Sequence, residues 1–197
     1  MKLYDLEPSG NCYKVRLFAA LAGIELETVA VDFLSGEHKQ SPLIDLNPLG
    51  ELPILQDGDL VLRDSQAILV YLARRYASPR WYGETPAEVA QIEQWLSTAA
   101  NEIQHGPGAA RLVDKFGYAL DKPLALEKAA RILQQVDTHL QRNDWLTLQR
   151  PTIADCAVMP YVALAHEGGI RLEDYPAILD WIGRIRALPG FQPMSGL

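Results

Sequence analysis

The spacing of apolar residues changes partway along the chain, and this change constrains the fold more than any other feature. Up to about residue 77, short segments that alternate as β-strands do are mixed with segments of helical spacing. Beyond about residue 84 only helical spacing recurs. Mixed elements followed by helices are typical of an α/β domain joined to an all-α domain. We therefore predict domains at residues 1–77 and 84–197, with a linker over residues 78–83.

The first part of the chain predicts the order strand, helix, strand, loop, hairpin and helix. Gly23 ends the first helix, and Asp57-Gly58-Asp59 forms the hairpin turn. Residues 35–48, rich in glycine, proline and asparagine, are predicted to be a loop with at most a short helix. The predicted strands are Lys2–Leu6, Glu27–Val31, Pro53–Gln56 and Leu60–Leu62, and the predicted helices are Asn11–Ala22 and Ser65–Tyr76.

The second part consists of long stretches of helix formers separated by glycine, proline or polar residues. Gly106-Pro107-Gly108 interrupts the first of these stretches and could widen a pocket there. The predicted helices are Pro86–Gln104, Lys122–Gln141, Thr152–Ala165 and Ala177–Ala187.

Composition narrows the possible functions and surroundings. The net charge of -7 argues against a protein built to bind nucleic acid, which needs a basic face. The first residues lack the apolar core of a signal peptide, and no apolar run is as long as a membrane helix, so we expect a cytoplasmic protein without a membrane partner. Cys12 and Cys156 lie far apart, without the spacing of metal ligands, and we expect neither a disulfide nor a metal site.

The turn Pro8-Ser9-Gly10-Asn11-Cys12 joins the first predicted strand to the first helix. A helix N-terminus favours an anion, so a thiol held there ionises more readily, and Ser9 could donate a hydrogen bond to the thiolate. A thioredoxin-type redox protein carries Cys-x-x-Cys in such a turn, where this chain has Ser9 and Cys12. Ser9 could equally be an ordinary helix cap, and Cys12 a buried small hydrophobe.

The segment Asn47-Pro48-Leu49-Gly50-Glu51-Leu52-Pro53-Ile54 places a proline at the start of an apolar strand. If the Leu52-Pro53 bond is cis, Leu52 can turn its backbone N–H and C=O outward as an unpaired edge. A peptide-like ligand could pair with that edge. The alternative is a trans proline that only begins the strand.

Asp64 and Ser65 begin the last predicted helix of the first domain. Either residue could be an N-cap. In a binding role, the Ser65 hydroxyl and the free amides of the helix would hold a carboxylate.

These three features, in this order and spacing, resemble the glutathione-binding half of cytosolic glutathione S-transferases, and the helical part resembles that family's second domain. In the second part, Pro151-Thr152-Ile153-Ala154-Asp155 resembles the family's capping box, in which Thr152 and Asp155 bond reciprocally at a helix start. The resemblance implies a thioredoxin-like first domain that binds glutathione as co-substrate, with no metal.

The resemblance also implies roles for individual residues. Leu52, followed by Pro53, would pair with the cysteinyl backbone of glutathione, while Asp64 and Ser65 would hold its γ-glutamyl end. His38 falls where theta-like members contact the glycine end. Lys39 is the adjacent candidate for the same carboxylate.

The sequence from Ser9 to Arg16 is similar to the zeta-class segment Ser-Ser-Cys-Ser-Trp-Arg-Val-Arg, with Ser9 at the catalytic serine. Gly10 and Asn11 depart from that pattern and argue against the zeta-class isomerase chemistry. A hydroxyl residue followed by Asn11 resembles bacterial nu-like members, in which that pair supports disulfide reduction. Ser9 and Asn11 are thus the catalytic candidates, and Tyr4, in mid-strand, is expected to pack.

The function implied is activation of glutathione as a thiolate that attacks a small electrophile. The alternatives are a glutathione-dependent disulfide reductase and a family member that binds glutathione or regulates without turnover. Residues 101–116 would line the acceptor pocket, with His105 and Arg111 as candidates by fold position. The family is usually homodimeric, and the interface would lie on Ser65–Tyr76 and Pro86–Gln104.

Overall fold

A four-stranded mixed sheet forms the centre of the first part of the molecule, in a computed structural model that describes all 197 residues. Its strands run in the spatial order β2-β1-β3-β4. β1 pairs parallel with β2 and antiparallel with β3, and β3 pairs antiparallel with β4. The strands are β1 Lys2–Asp5, β2 Glu27–Ala30, β3 Ile54–Asp57 and β4 Leu60–Arg63.

Helices connect these strands as the sequence predicts. α1, Gly10–Ala22, makes the crossover between the parallel strands and ends at Gly23, which has a φ of 67°. α2, Leu43–Leu46, lies in the predicted loop, and α3, Ser65–Tyr76, follows the hairpin. The predicted thioredoxin-like α/β domain is confirmed.

The remainder of the chain contains helices and no strand, which confirms the predicted all-α part. No helix combines the length and the hydrophobicity needed to cross a bilayer. Short 3-10 turns occupy Glu37–Lys39, Pro79–Trp81, Ala165–Gly168 and Leu172–Asp174. The main helices are α4 Pro86–Thr98, α5 Ala109–Phe116, α6 Lys122–Leu140, α7 Ile153–Ala163 and α8 Pro176–Arg186.

The predicted break after Gln104 is absent, because the chain continues from α4 to α5 through the π-helical segment Ala99–Gly108. Wider turns accommodate Pro107, whose ring nitrogen has no proton for the helix ladder. The neighbouring glycines allow close packing: a Cβ on Gly106 would lie 3.0 Å from the Ala129 backbone nitrogen. Close approach to α6 therefore favours a continuous helix at the Gly-Pro-Gly sequence.

The predicted capping box at the start of α7 is confirmed. Thr152 accepts a hydrogen bond from the Ala154 backbone nitrogen at 3.2 Å, and the Asp155 carboxylate accepts one from the Thr152 nitrogen at 2.9 Å. The same carboxylate accepts bonds from the Trp181 indole at 2.9 Å and from the Leu146 nitrogen at 3.2 Å. Asp155 therefore ties the start of α7 to α8 and to the loop before it.

One apolar cluster of 36 buried residues runs through both parts of the chain. Its centre is the packing of α1 against α7. Residues 190–196, which we call the strap, lie along the outer side of α1. The Tyr13 hydroxyl donates to the Gln192 carbonyl at 2.7 Å, and the Ser195 nitrogen donates to the Glu7 carboxylate at 3.2 Å. The chain between those two points thus follows α1 back to its first turn.

Candidate functional site

Ser9 is the N-cap of α1, and its hydroxyl oxygen accepts a hydrogen bond from the Cys12 backbone nitrogen at 3.3 Å. The same hydroxyl lowers the pKa of the Cys12 thiol through a hydrogen bond, so the Cys12 sulfur is the acceptor within its reach in the protein. Capping and donation to a ligand are therefore compatible, because they use different parts of one hydroxyl.

Cys12 lies one turn into α1, is fully buried, and its sulfur accepts a hydrogen bond from the Leu6 backbone nitrogen at 3.4 Å. Burial raises the pKa of the Cys12 thiol to about 12, although Ser9 and the Leu6 amide act in the opposite direction. Since thiolates are the reactive form, Cys12 is a packing residue at neutral pH.

The Leu52-Pro53 peptide bond is cis. Neither the N–H nor the C=O of Leu52 makes a hydrogen bond within the protein, and the residue is partly exposed. Pro53 itself is buried at the start of β3. Leu52 therefore presents one free backbone donor and one free acceptor, the pair that an extended peptide needs for strand-like pairing.

Asp64 is the N-cap of α3, with an unusual φ of 71°. Its carboxylate accepts hydrogen bonds from the backbone nitrogens of Gln66 at 2.9 Å and Ala67 at 3.0 Å. A non-glycine residue in this conformation is strained, and such strain is concentrated at functional sites.

Ser65 connects the N-termini of α3 and α1. Its buried hydroxyl lies 3.4 Å from the Asn11 side-chain oxygen and 2.5 Å from the Gln66 side-chain oxygen. Asn11 follows Ser9 by two residues, so the contact joins the thiol-activating candidate turn to the carboxylate-binding candidate helix.

A cleft with a volume of about 100 Å³ opens between these elements. It brings together five of the predicted residues: Asn11, Leu52, Pro53, Asp64 and Ser65. Four other lining residues were not predicted as site residues: Asn47, Leu49, Glu51 and Arg63. The first three belong to the segment from Asn47 to Ile54 described above.

Asn47 had a recognisable signal, because Asn-Pro sequences favour turns. Its side chain accepts from the Leu49 nitrogen at 3.1 Å and donates to the Glu51 carbonyl at 2.8 Å. It therefore holds the wall of the cleft in shape. Arg63 adds a positive charge to a cleft that also contains the carboxylates of Glu51 and Asp64.

His38 and Lys39 lie outside the lining of this cleft. The His38 ring is buried and stacks on Phe33, with ring centroids 4.1 Å apart. Burial, aided by the charge of Lys39, lowers the pKa of His38. Lys39 is exposed, and its stem crosses Gly50, where a Cβ would lie 3.2 Å from the lysine Cγ. Lys39 is therefore close to the cleft wall, while the His38 ring packs inward.

The two acceptor-pocket candidates differ in environment. His105 is exposed, and its Nδ1 lies 2.9 Å from the Asn101 carbonyl oxygen. Arg111 is buried and pairs with Glu167, which also pairs with Lys115. Neither residue lines the cleft.

Two further side chains lie beneath the first turn of α1. Lys14 is completely buried, its ammonium makes no hydrogen bond, and it lies 5.1 Å from the centre of the Tyr161 ring. Tyr161 projects from α7. By contrast, the Tyr4 hydroxyl donates to the Gln56 side chain at 3.2 Å, within the sheet.

Sequence comparison identifies two matching families. Residues 1–74 match "Glutathione S-transferase, N-terminal domain", and residues 114–189 match "Glutathione S-transferase, C-terminal domain". Glutathione S-transferase 3 of Zea mays is 33% identical, over 98% of this chain and 91% of its own length. Glutathione S-transferase theta-2 of Homo sapiens is 33% identical, over 93% of this chain and 78% of its own length.

Solved structures show the same similarity. A possible glutathione S-transferase from Rhodopseudomonas palustris superposes with a TM-score of 0.88 at 33% identity, over 98% of this chain and 96% of that one. A glutathione S-transferase from Pseudomonas fluorescens gives a TM-score of 0.92 at 29% identity, over 98% of both chains. With its thioredoxin-like and helical parts and these full-length similarities, the chain belongs to the glutathione S-transferase family.

Proposed function

We propose that this protein is a glutathione S-transferase that activates glutathione as a thiolate for attack on a small electrophile. The observation that carries the proposal is the convergence of a free peptide edge at Leu52 and two helix N-termini on one cleft. Its polar lining suits a short, charged, peptide-like co-substrate rather than an apolar ligand.

Glutathione would lie extended across this cleft. Its cysteinyl backbone would pair with the N–H and C=O of Leu52, and its γ-glutamyl carboxylate would bind the Ser65 hydroxyl near the start of α3. Asp64 would attract the γ-glutamyl ammonium group. Lys39, with His38 beside it, is the candidate for the glycine carboxylate.

The sulfur would then lie at the first turn of α1. The Ser9 hydroxyl would donate its proton to the thiolate, and Asn11 would support the same anion. A free thiol with a pKa of about 8.5 is mostly protonated at pH 7, and stabilisation by about 2.7 kcal/mol lowers that pKa by about two units. A charge-assisted hydrogen bond and a helix N-terminus together supply energies of this size.

Calorimetry and a thiolate titration test the proposal. We expect the wild type to bind glutathione and Ser65→Ala to bind it at least tenfold more weakly. In the ultraviolet thiolate absorbance, the bound thiol should titrate well below pH 8.5 in the wild type, and Ser9→Ala should abolish that depression. Ser97→Ala, an exposed serine on α4, is the matched control and should change neither result. Lack of binding at millimolar glutathione would refute the proposal.

A glutathione-dependent disulfide reductase is the second candidate, supported by the position of Asn11 in the cleft. Because the Cys12 thiol is buried and un-ionised, reduction would need two glutathione molecules, which become glutathione disulfide as the substrate becomes two thiols. Faster turnover of a small disulfide than of an activated aryl halide would favour this reading. Glutathione binding with neither activity would favour a binding or regulatory protein.

The proposed assembly is a cytoplasmic homodimer with an interface on α3 and α4. Tyr76 on α3 is 42% exposed, so this face has apolar surface to bury. Sedimentation should give about twice the chain mass of 21.9 kDa, and a mass equal to one chain at micromolar concentration would contradict the dimer. The acceptor is proposed to lie against residues 101–116, which include His105 and Arg111.

A further inference from the structure

Tyr161 is a buried tyrosine whose hydroxyl proton has no acceptor. Its exposure is only 4%, yet no protein atom accepts a hydrogen bond from its phenol. The other buried tyrosine, Tyr13, donates to a backbone carbonyl, and the part-buried Tyr71 donates to Asp57 at 2.7 Å. The hydroxyl proton of Tyr161 is therefore available to an acceptor supplied by a ligand.

The phenol lies against the first turn of α1. A Cβ on Gly10 would be 2.6 Å from Cε1 and 2.8 Å from Cζ of the Tyr161 ring, so only glycine fits there. The Asn11 backbone N–H and the Gln104 side chain both face the phenol oxygen as donors. These donors use the acceptor capacity of the oxygen and leave its proton free.

Other contacts fix the orientation and the protonation of this ring. A Cβ on Gly108, in the π-helical segment, would lie 3.5 Å from the ring, and the Lys14 ammonium lies over the face of the ring. Burial raises the pKa of Tyr161 to about 12, so the phenol keeps its proton at neutral pH and acts as a donor. The titratable or charged groups facing it are Lys14 and Cys12 of α1 and Arg111 of α5.

We propose that Tyr161 donates a second hydrogen bond to the sulfur of bound glutathione, beside that from Ser9. The site would thus be completed from the helical part of the chain. This inference rests on the proposed function, which places the sulfur at the first turn of α1. No covalent bond to carbon changes: the thiol proton leaves to water, and the phenol retains its own proton.

Tyr161→Phe tests the donation, because it removes the hydroxyl and keeps the ring that packs on Gly10. We expect the pKa of bound glutathione to rise by about one unit, which leaves about tenfold less thiolate at lower pH. The deficit in thiolate should vanish at a pH above the bound-thiol pKa of both the wild-type and the Tyr161→Phe complexes. Damaged packing would not give such a recovery. Tyr175→Phe, remote on the loop before α8, is the matched control and should match the wild type.

The result that would overturn this inference alone is an unchanged bound-thiol pKa in Tyr161→Phe beside a depressed pKa in the wild type. An undepressed pKa in the wild type would refute the proposed function as well. If Tyr161→Phe does not fold, carbon NMR of wild type labelled at tyrosine Cζ replaces it. Glutathione should then shift the Tyr161 resonance and leave the Tyr175 resonance unchanged. Equal shifts of the two resonances, or no shift of the Tyr161 resonance, would overturn the inference.

Discussion

Lys14 gives the sharpest prediction about stability, because an ammonium group without a hydrogen bond lies wholly inside the protein. Burial lowers the pKa of Lys14 to about 7 from its ordinary 10.5, against the pull of the Asp64 carboxylate. Between these values the unfolded chain holds more protons than the folded protein. The free energy of unfolding therefore rises with pH across this window.

The size of the effect follows from the same two values. At about 1.4 kcal/mol per pKa unit, the full gap corresponds to about 5 kcal/mol, of which about 4 applies at pH 7, where half of the folded molecules are protonated. The face of the Tyr161 ring favours the charged form and offsets about 1 kcal/mol. Lys14→Met, which keeps the stem and removes the charge, should therefore raise the free energy of unfolding by about 3 kcal/mol at pH 7.

Urea titrations followed by tryptophan fluorescence at several pH values measure this difference. The increase in the free energy of unfolding of Lys14→Met over wild type should shrink steadily as the pH rises from 7 and be nearly lost by pH 10.5. Lys128→Met, an exposed lysine on α6, should change the free energy by less than about 0.5 kcal/mol at every pH. A gain independent of pH, or a loss at pH 7, would refute the reasoning.

Three further experiments address other contacts. Asp155→Asn turns an amide toward the buried Thr152 N–H and should lower the free energy of unfolding, measured in urea, by about 2 kcal/mol. A decrease of less than about 0.5 kcal/mol would contradict the role of the carboxylate. Gly10→Ala drives a Cβ into the Tyr161 ring and should cost about 2 kcal/mol; a neutral result would show that the ring can move. Cys12 should resist iodoacetamide at pH 7 until urea unfolds the chain, whereas rapid labelling of native protein would contradict its burial.

Local chemistry made much of the fold predictable. The change from mixed to purely helical periodicity, the Asp-Gly turn and the capping box around Thr152 each depend on neighbouring residues, and they predicted the corresponding elements. The Gly-Pro-Gly sequence at residues 106–108 misled the prediction, because the helix there is maintained by the close approach of α6. That approach depends on residues more than twenty positions away.

The cleft was predictable in part for the same reason. Leu52 and Ser65 belong to short motifs with a recognisable order, and both line the cleft. Arg63 carries no local signal, since its position in the lining depends on how β4 meets α3. Tyr161 was invisible in sequence because an apolar helix such as α7 predicts only core, and its hydroxyl becomes informative once Gly10 is seen against the ring.

The strap along α1 has a consequence for biosynthesis. α1 emerges from the ribosome well before the groups that cover it, α7 and residues 190–196. During translation the buried face of α1, which includes Lys14 and Phe18, stays uncovered until those groups have been synthesised. A polypeptide of residues 1–77 alone should therefore be prone to aggregation, and a chaperone that shields early apolar segments would have its main task at α1.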